Sequence, residues 1–443
     1  MIQHKTFNFY IFLVISIILF SCSEENDDFT DPVIEEDPVD EIINNKPNIL
    51  LVIADDMGLD ASPGYSIGST KPNMPNLQHL INTGITYNYV WSNPTCSPTR
   101  ATILTGKYGI NNGVLEVNNT LSAAETSLQT YIDTNLNGEY ASAVIGKWHL
   151  SNNKNHPEIM GIEYYAGFLS GAMNDYWNWK FTENGTQTTS TTYNTTAYTN
   201  IAIDWIEEQT KPWFVWLAYN APHNPFHLPP IELHSQGSLA TDQASIDANP
   251  LPYYLAMLEA MDTEFGRLLN SLSEEEKENT IIIFIGDNGT PNQVAQEYNS
   301  KRVKGSLYQG GINVPMVIAG KNVTRINEVE NALINTTDLF ATIANIAGIQ
   351  IDKINDSKSF QESFSNSSFS EREYAYAEDE FNVTIRNNTH KYMLFDDNSE
   401  SLFNLSIDPL ETKNLLNSKN LPLSENDSKM KDELTQKLAE IKP

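Results

Sequence analysis

Six consecutive apolar residues, Ile49 to Ala54, are hydrophobic on both faces of a strand, and this run narrows the fold more than any other feature of the chain. A strand with one face in water alternates apolar and polar residues, whereas a strand covered by helices on both sides has no polar face. Similar runs recur at Ala141 to Ile145, Trp213 to Ala218, Thr280 to Ile285 and Val314 to Ala319. Between them, helical patterns occupy Ala197 to Glu208, Tyr253 to Leu272 and Asn331 to Ile346. Apolar strands alternating with helices imply an α/β fold, a large mixed and mostly parallel sheet sandwiched by helices.

The pattern changes near residue 350. Residues 352–370 are rich in Ser and Asn and read as a linker or a long surface excursion. Beyond them, Glu373 to Glu378, Asn382 to Arg386, Lys391 to Phe395 and Ser401 to Asn404 read as short strands of an antiparallel sheet, and Ser424 to Ile441 as a polar final helix. The expected division is a main domain over 46–350 and a linker with a small C-terminal α+β subdomain over 351–443. The Asn- and Thr-rich stretch from Asn184 to Asn200 reads as a surface loop.

The N-terminus reads as an export signal. Lys5 precedes a mostly apolar run from Phe7 to Phe20, and Leu19-Phe20-Ser21-Cys22 resembles a bacterial lipobox, in which the Cys is acylated after cleavage. Residues 1–22 are then a lipoprotein signal peptide with Cys22 as the lipidation site. An ordinary signal peptide or an uncleaved anchor is the competing reading. Between Ser23 and Glu41 there are ten Asp or Glu residues and no Lys or Arg, so 23–45 is expected to be an acidic disordered tether. Together these features imply a protein exported and lipid-anchored to the outer membrane of a Gram-negative bacterium, touching the membrane only through that anchor. A net charge of -30 without a basic stripe argues against nucleic acid as a partner.

The chain has only two cysteines, Cys22 and Cys96. If Cys22 is lipidated no disulfide is possible, and a lone thiol in an oxidising compartment needs a reason to exist. Cys96 begins Cys96-Ser97-Pro98-Thr99-Arg100, with Pro98 suited to the first turn of a helix. Read from the residues alone, it is a low-pKa thiolate at a helix N-terminus with Arg100 beside it.

Ligands of open α/β sheets bind beyond the carboxyl ends of the strands. Here those ends carry Asp55-Asp56, Gly146-Lys147-Trp148-His149, Ala221-Pro222-His223 and Gly286-Asp287-Asn288-Gly289. Asp55, Asp56, Asp287 and Asn288 offer only oxygen, which suits Ca²⁺, and less well Mg²⁺, far better than zinc or copper.

Cys96-Ser97-Pro98-Thr99-Arg100, followed by Leu104-Thr105-Gly106-Lys107, resembles the Cys-x-Pro-x-Arg maturation signature of the formylglycine-dependent sulfatases, relatives of alkaline phosphatase. The likeness extends through the strand-end motifs, through Lys304-Gly305-Ser306-Leu307-Tyr308-Gln309-Gly310-Gly311, and to Leu402-Phe403-Asn404-Leu405 and Asp408-Pro409-Leu410-Glu411-Thr412. Lys107 departs from it, standing where the signature commonly has Arg. The resemblance implies that a separate maturation enzyme oxidises Cys96 to formylglycine, whose hydrated aldehyde attacks the sulfur of a sulfate ester. By the same resemblance the metal, Ca²⁺, is held by Asp55, Asp56, Asp287 and Asn288 and touches residue 96. Arg100 and Lys147 hold the nucleophile, His223 protonates the leaving alcohol, Lys304 binds the transferring group, and His149 deprotonates the second hydroxyl so that sulfate is expelled.

For the substrate, the resemblance and the export signal together suggest a sulfated polysaccharide or oligosaccharide. The stretch Asn174 to Lys180, above all Trp177, is a candidate to stack on a sugar ring, and His227, Lys301 and Arg302 are candidates to contact further anionic groups. Two other functions fit the same sequence. One is a phosphonate monoester or phosphodiester hydrolase using the same nucleophile; the other is an inactive glycan-binding lipoprotein that retains the fold.

Overall fold

The computed structural model describes residues 46–442. The readings made on Cys22, the signal peptide and the acidic tether lie outside the described residues.

Ten strands form the main sheet: β1 (Asn48–Ala54), β2 (Gly84–Tyr87), β3 (Ala141–Lys147), β4 (Tyr164–Phe168), β5 (Trp179–Glu183), β6 (Thr186–Ser190), β7 (Trp213–Ala218), β8 (Thr280–Gly286), β9 (Met316–Gly320) and β10 (Glu328–Glu330). Their spatial order is β10-β2-β9-β8-β1-β7-β3-β4-β5-β6. The central block β8-β1-β7-β3-β4 is parallel throughout. β9 runs antiparallel to both β8 and β2, and the β5-β6 hairpin adds an antiparallel edge.

β1 shows why the run Ile49 to Ala54 can be apolar on both faces. Leu50, Val52 and Ala54 join one core cluster, with Tyr254, Met257 and Met261 of the helix Leu251–Ser271. Ile49, Leu51 and Ile53 join the other, with Ile103 and Leu104 of the helix Cys96–Thr105 and with Leu339 and Ile343. Alternate side chains point to opposite faces of a strand, so each face of β1 meets its own helical layer.

A second sheet of four antiparallel strands, β11 (Ala375–Glu378), β12 (Val383–Arg386), β13 (His390–Leu394) and β14 (Glu400–Asn404), follows in simple meander order. Ala375, Met393 and Phe403 pack with Trp91, Leu307 and Ile312, while the final helix Glu425–Ile441 lays Leu434 and Leu438 on the opposite face. Among the described residues no helix is long and apolar enough to cross a membrane.

The structure corrects three expectations. The expected helix Asn331 to Ile346 begins only at Asp338, because Ile334–Asn335 pair in parallel with Val90–Trp91 and tertiary pairing overrides the helical pattern. Asn184 to Asn200 is not a loop. Asn184-Gly185, both at positive φ, turn the chain from β5 into β6, whose Thr residues suit an edge strand, and a helix starts at Asn194. The last apolar strand starts at Met316 rather than Val314, since Pro315 has no N–H for a ladder. The Ser- and Asn-rich stretch runs largely over the surface and is pinned by Phe360 and Phe364, which are buried in the main core.

Candidate active site

The helix Cys96–Thr105 is buried along all of its ten residues, so it enters the protein as an internal element with Cys96 at its first position. Cys96 Sγ donates to Asp55 Oδ1 at 3.3 Å. The thiolate reading fails here: burial and then the Asp55 charge push the Cys96 thiol well above its ordinary pKa, and Lys147 only partly opposes them. At neutral pH an unmodified Cys96 is a protonated thiol beside a carboxylate.

Four strand ends deliver their side chains to the same place. Lys147 Nζ donates to Asp55 Oδ2 at 2.5 Å, and Gly146, at φ +107, lets β3 reach that point where a Cβ would sit 2.0 Å from Ala218 O. Asp56 follows β1 in the left-handed region, at φ 73. Its backbone N–H donates to Asp287 Oδ1 at 3.0 Å, and its carboxylate accepts from Lys304 Nζ at 2.6 Å and Asn288 Nδ2 at 2.8 Å. Burial would raise the Asp56 pKa, but Lys304, His223 and Lys147 outweigh burial and hold it at about 2. Asp287 is pushed up to about 6 by burial and the neighbouring Asp55, against Arg100 and Lys147. Arg100 Nη2 donates to Asp287 Oδ2 and Nη1 to the Lys147 carbonyl, both at 2.8 Å.

The two histidines stand on different footings. His223 Nδ1 lies 2.7 Å from the carbonyl of Asn224, which can only accept, so Nδ1 carries the proton and Nε2 faces Asp56 Oδ2 at 3.8 Å. Burial first, then Lys147 and Lys304, lowers its pKa to about 4 although Asp56 resists. His149, another non-glycine at positive φ, has Nε2 3.0 Å from Asn118 Oδ1, while its buried Nδ1 has no hydrogen-bond partner among the described residues. Burial and the adjacent Lys147 and Arg100 keep it neutral.

Asp55, Asp56, Cys96 and His223 each present a ligand atom within 4.8 Å of the others. Asp287 and Asn288 complete the wall, and Asn288 Oδ1 is buried without a hydrogen-bond partner among the described residues. An orphaned buried carbonyl oxygen among carboxylates is the donor set that a hard cation would satisfy, so these residues fit a divalent metal. His223 is the member of this cluster to which the family resemblance gives a proton-transfer role and no ligand role.

Sequence reasoning missed Asn118, held by its N–H to Ser97 Oγ at 3.1 Å while Ser97 Oγ donates to the His149 carbonyl at 2.9 Å. It missed Tyr176 as a support as well: its hydroxyl donates to the carbonyls of Asn220 and His223 at 2.9 and 2.7 Å. No local signal marks Asn118, which follows an irregular loop, whereas Tyr176 stood in the aromatic stretch already singled out. Of that stretch Tyr176 and Trp179 are core residues, and Trp177, 38% exposed, is the aromatic left open to solvent.

His227 is wedged between Tyr176, Trp177 and Tyr193, with Nε2 3.1 Å from the Tyr193 hydroxyl and Nδ1 3.0 Å from Pro225 O, so both ring nitrogens are engaged. Arg302 stacks 4.4 Å over Tyr308 and hydrogen-bonds the Glu411 carbonyl, which ties it to the C-terminal subdomain. Lys107 pairs with Glu125 at 2.7 Å.

A family model described as Sulfatase matches residues 47–349. A protein from Formosa agariphila described as a sulfatase is 26% identical, over 84% of this chain and 85% of its own length. An arylsulfatase from Klebsiella aerogenes is 24% identical, over 70% of this chain and 88% of its own length. A protein solved in complex with its substrate D-glucosamine-2-N,6-O-disulfate shares the fold, with a TM-score of 0.72 at 20% identity over 90% of this chain and 98% of that one.

Proposed function

Since this chain belongs to the sulfatase family and is a sulfuric ester hydrolase, we propose that it desulfates a sulfated polysaccharide or oligosaccharide with a formylglycine made from Cys96 and a bound Ca²⁺. The observation that carries this reading is the buried Cys96 thiol, with Sγ 3.3 Å from Asp55 and in one cluster with Asp56 and His223. Such a group is a poor nucleophile as it stands, yet it sits where an oxygen nucleophile would meet a cation. A sulfated sugar as substrate is supported by the fold shared with the protein bound to a glucosamine disulfate.

Asp55, Asp56, Asp287 and Asn288 would hold the ion, with the unpartnered Asn288 Oδ1 as a ready ligand. When bound, the ion withdraws charge from sulfate oxygens and acidifies a neighbouring hydroxyl, and the hydrated aldehyde supplies one hydroxyl to attack sulfur and a second whose deprotonation releases sulfate.

The chain's own residues do the rest. Arg100 and Lys147, both fully buried, place positive charge against residue 96 in a medium that screens it little. Lys304, half-buried at Asp56, is placed to hold the sulfate as it transfers. His223 has its Nδ1 proton committed to Asn224, so Nε2 is the atom that exchanges protons with the substrate. An arriving sulfate adds a negative charge and raises the His223 pKa, so the proton for the leaving oxygen comes with the substrate. His149, neutral with Nδ1 free, accepts a proton from residue 96 in the second half of the reaction.

Residues 1–45 extend the proposal to location: acylation of Cys22 would tether the enzyme to the outer membrane by an acidic arm. Residues 46–350 would then form the catalytic domain and 351–443 its C-terminal subdomain.

The test is turnover of an aryl sulfate beside an aryl phosphodiester, followed by a panel of defined sulfated oligosaccharides. The expected result is sulfate release from the aryl ester and from at least one glycan. Faster hydrolysis of the phosphodiester would overturn the proposal in favour of the phosphodiesterase reading, and no turnover by converted enzyme would favour the binding protein.

A further inference from the structure

A cleft of about 780 Å³ opens between the main domain and the C-terminal sheet. Leu59, three residues past Asp56, forms part of its wall, as do Asn88 and Tyr89 just beyond β2, so it lies on the sheet edge that carries the catalytic cluster. None of Cys96, Arg100, Lys147, His149, His223 and Lys304 lines it.

Arg386, the last residue of β12, lines this cleft although only 2% exposed. Its guanidinium stacks 4.6 Å over Tyr89 and 5.9 Å from Trp91. Nε donates to Asn387 O at 2.9 Å and Nη2 to Asn388 O at 3.3 Å, and among the described residues Nη1 has no partner. The other buried arginines each face a carboxylate: Arg100 has Asp287, Arg325 has Glu330 and Arg372 has Asp338. Arg386 forms no ion pair among the described residues.

The nearby Glu411 is already spent. Its Oε1 accepts from Lys391 Nζ at 2.6 Å and its Oε2 from Gln309 N at 2.6 Å. Burial lowers the Arg386 guanidinium to about 10, against partial relief from Tyr89 and Glu411. A buried cation without a counter-ion is costly unless an anion reaches it, and here the open side of that cation is a cleft. The rest of the wall is amphipathic, with Tyr65, Tyr89 and Tyr298 beside the amides of Asn88 and Asn313. Asn88 Nδ2 and both amide atoms of Asn313 are already hydrogen-bonded within the protein, so it is the aromatic faces of this wall that suit a sugar ring. The single carboxylate in the wall, Glu297, is exposed and accepts from Gly68 N at 3.1 Å.

We propose that this cleft is a second saccharide site, in which Arg386 binds the sulfate or carboxylate of a sugar unit other than the one being desulfated. The site deepens the glycan reading above and rests on it for its place in catalysis. An acidic unit held there would seat a polyanionic chain on a protein whose net charge of -30 otherwise repels it.

The test is titration calorimetry on the full chain carrying Cys96→Ala, so that nothing turns over, with three hexasaccharides: one sulfated, one an unsulfated galacturonate, one neutral. Arg386→Met and Ser406→Glu are compared with the parent; Ser406 is an exposed residue of the cleft wall, so a charge there leaves the core intact. The expected result is that Arg386→Met weakens binding of an acidic hexasaccharide roughly tenfold or more, and Ser406→Glu roughly threefold or more. The neutral hexasaccharide binds weakly to all three proteins. Whether the sulfated or the uronate arm responds identifies the anion, and either response supports the site. If Arg386→Met fails to fold, the Ser406→Glu arm decides alone. Unchanged affinity in Ser406→Glu, with or without loss of stability in Arg386→Met, would overturn the proposal and leave Arg386 as a pillar between Tyr89 and Trp91. Because galacturonate carries no sulfate, its binding is read independently of whether the wild-type enzyme desulfates anything.

Discussion

Two regions of this molecule bury charge, and they do it differently. In the clamp joining the C-terminal subdomain to the loop that carries Lys304, each charged group has a hydrogen-bond partner, and the group left without one among the described residues is the neutral Gln309 Nε2. Lys391 Nζ donates to Leu307 O and Glu411 Oε1, Glu411 Oε2 takes the Gln309 N–H, and the Glu411 carbonyl takes Arg302. At the strand ends, Asp55, Asp56, Asp287, Arg100 and Lys147 are equally buried and Lys304 is half-buried, yet among the described residues Asn288 Oδ1, His149 Nδ1 and Arg100 Nε have no partner. Asp56 and His149 also hold left-handed backbone, a conformation uncommon outside glycine. The satisfied network is what stability alone would select. The unsatisfied one keeps atoms in reserve for ions and substrate that arrive later.

This contrast can be broken from either side. The largest effect expected is from Cys96→Ala, which should reduce kcat by roughly a thousandfold or more while leaving the urea midpoint close to wild type. A variant that retained its rate, or that unfolded, would erase the distinction. Next is metal removal: dialysis against a chelator should lower sulfatase turnover by roughly a hundredfold or more, with Ca²⁺ restoring it better than Zn²⁺. The same Ca²⁺, at about a hundred times its Kd, should stabilise the fold by about 2.7 kcal/mol, readable as a raised thermal midpoint.

In the clamp, Lys391→Met strands a buried carboxylate and should cost about 3–5 kcal/mol in urea unfolding, with kcat of the folded enzyme within about twofold of wild type. A collapse of kcat at unchanged stability would move the clamp into the catalytic machinery. The smallest effect sharpens the picture: Asn118→Ala should lower kcat roughly tenfold with little change in KM, since it frees the His149 ring without touching the sulfate pocket. A change confined to KM would instead place Asn118 in substrate binding.

Much of the catalytic region was legible because chemistry and periodicity coincide there. Four of the five two-faced apolar runs end at a polar cluster, and the parallel direction of their strands brings Asp55, Lys147, His223 and Asp287 to one edge, while Val314 to Ala319 runs antiparallel and ends on the opposite edge. What stayed hidden depends on partners distant in the chain. Ile334–Asn335 reads as the start of a helix until Val90–Trp91 pairs with it. The thiolate expected of Cys96 follows from a helix N-terminus, but burial, and then Asp55, 41 residues away, reverse it. Arg302 reads as a free cation, and only the fold reveals Tyr308 and Glu411 around it. Edge strands such as Thr186–Ser190 lack an apolar face and so carry no periodic signal.

The central claim is that residue 96 works as an oxidised side chain rather than as a thiol. The most direct measurement is the mass of the peptide spanning residue 96 in active enzyme, set beside its turnover of an aryl sulfate. The account predicts a peptide lighter by about 18 Da, thiol replaced by aldehyde, in a proportion that tracks specific activity across preparations. Full activity in protein whose Cys96 is entirely unmodified would contradict it.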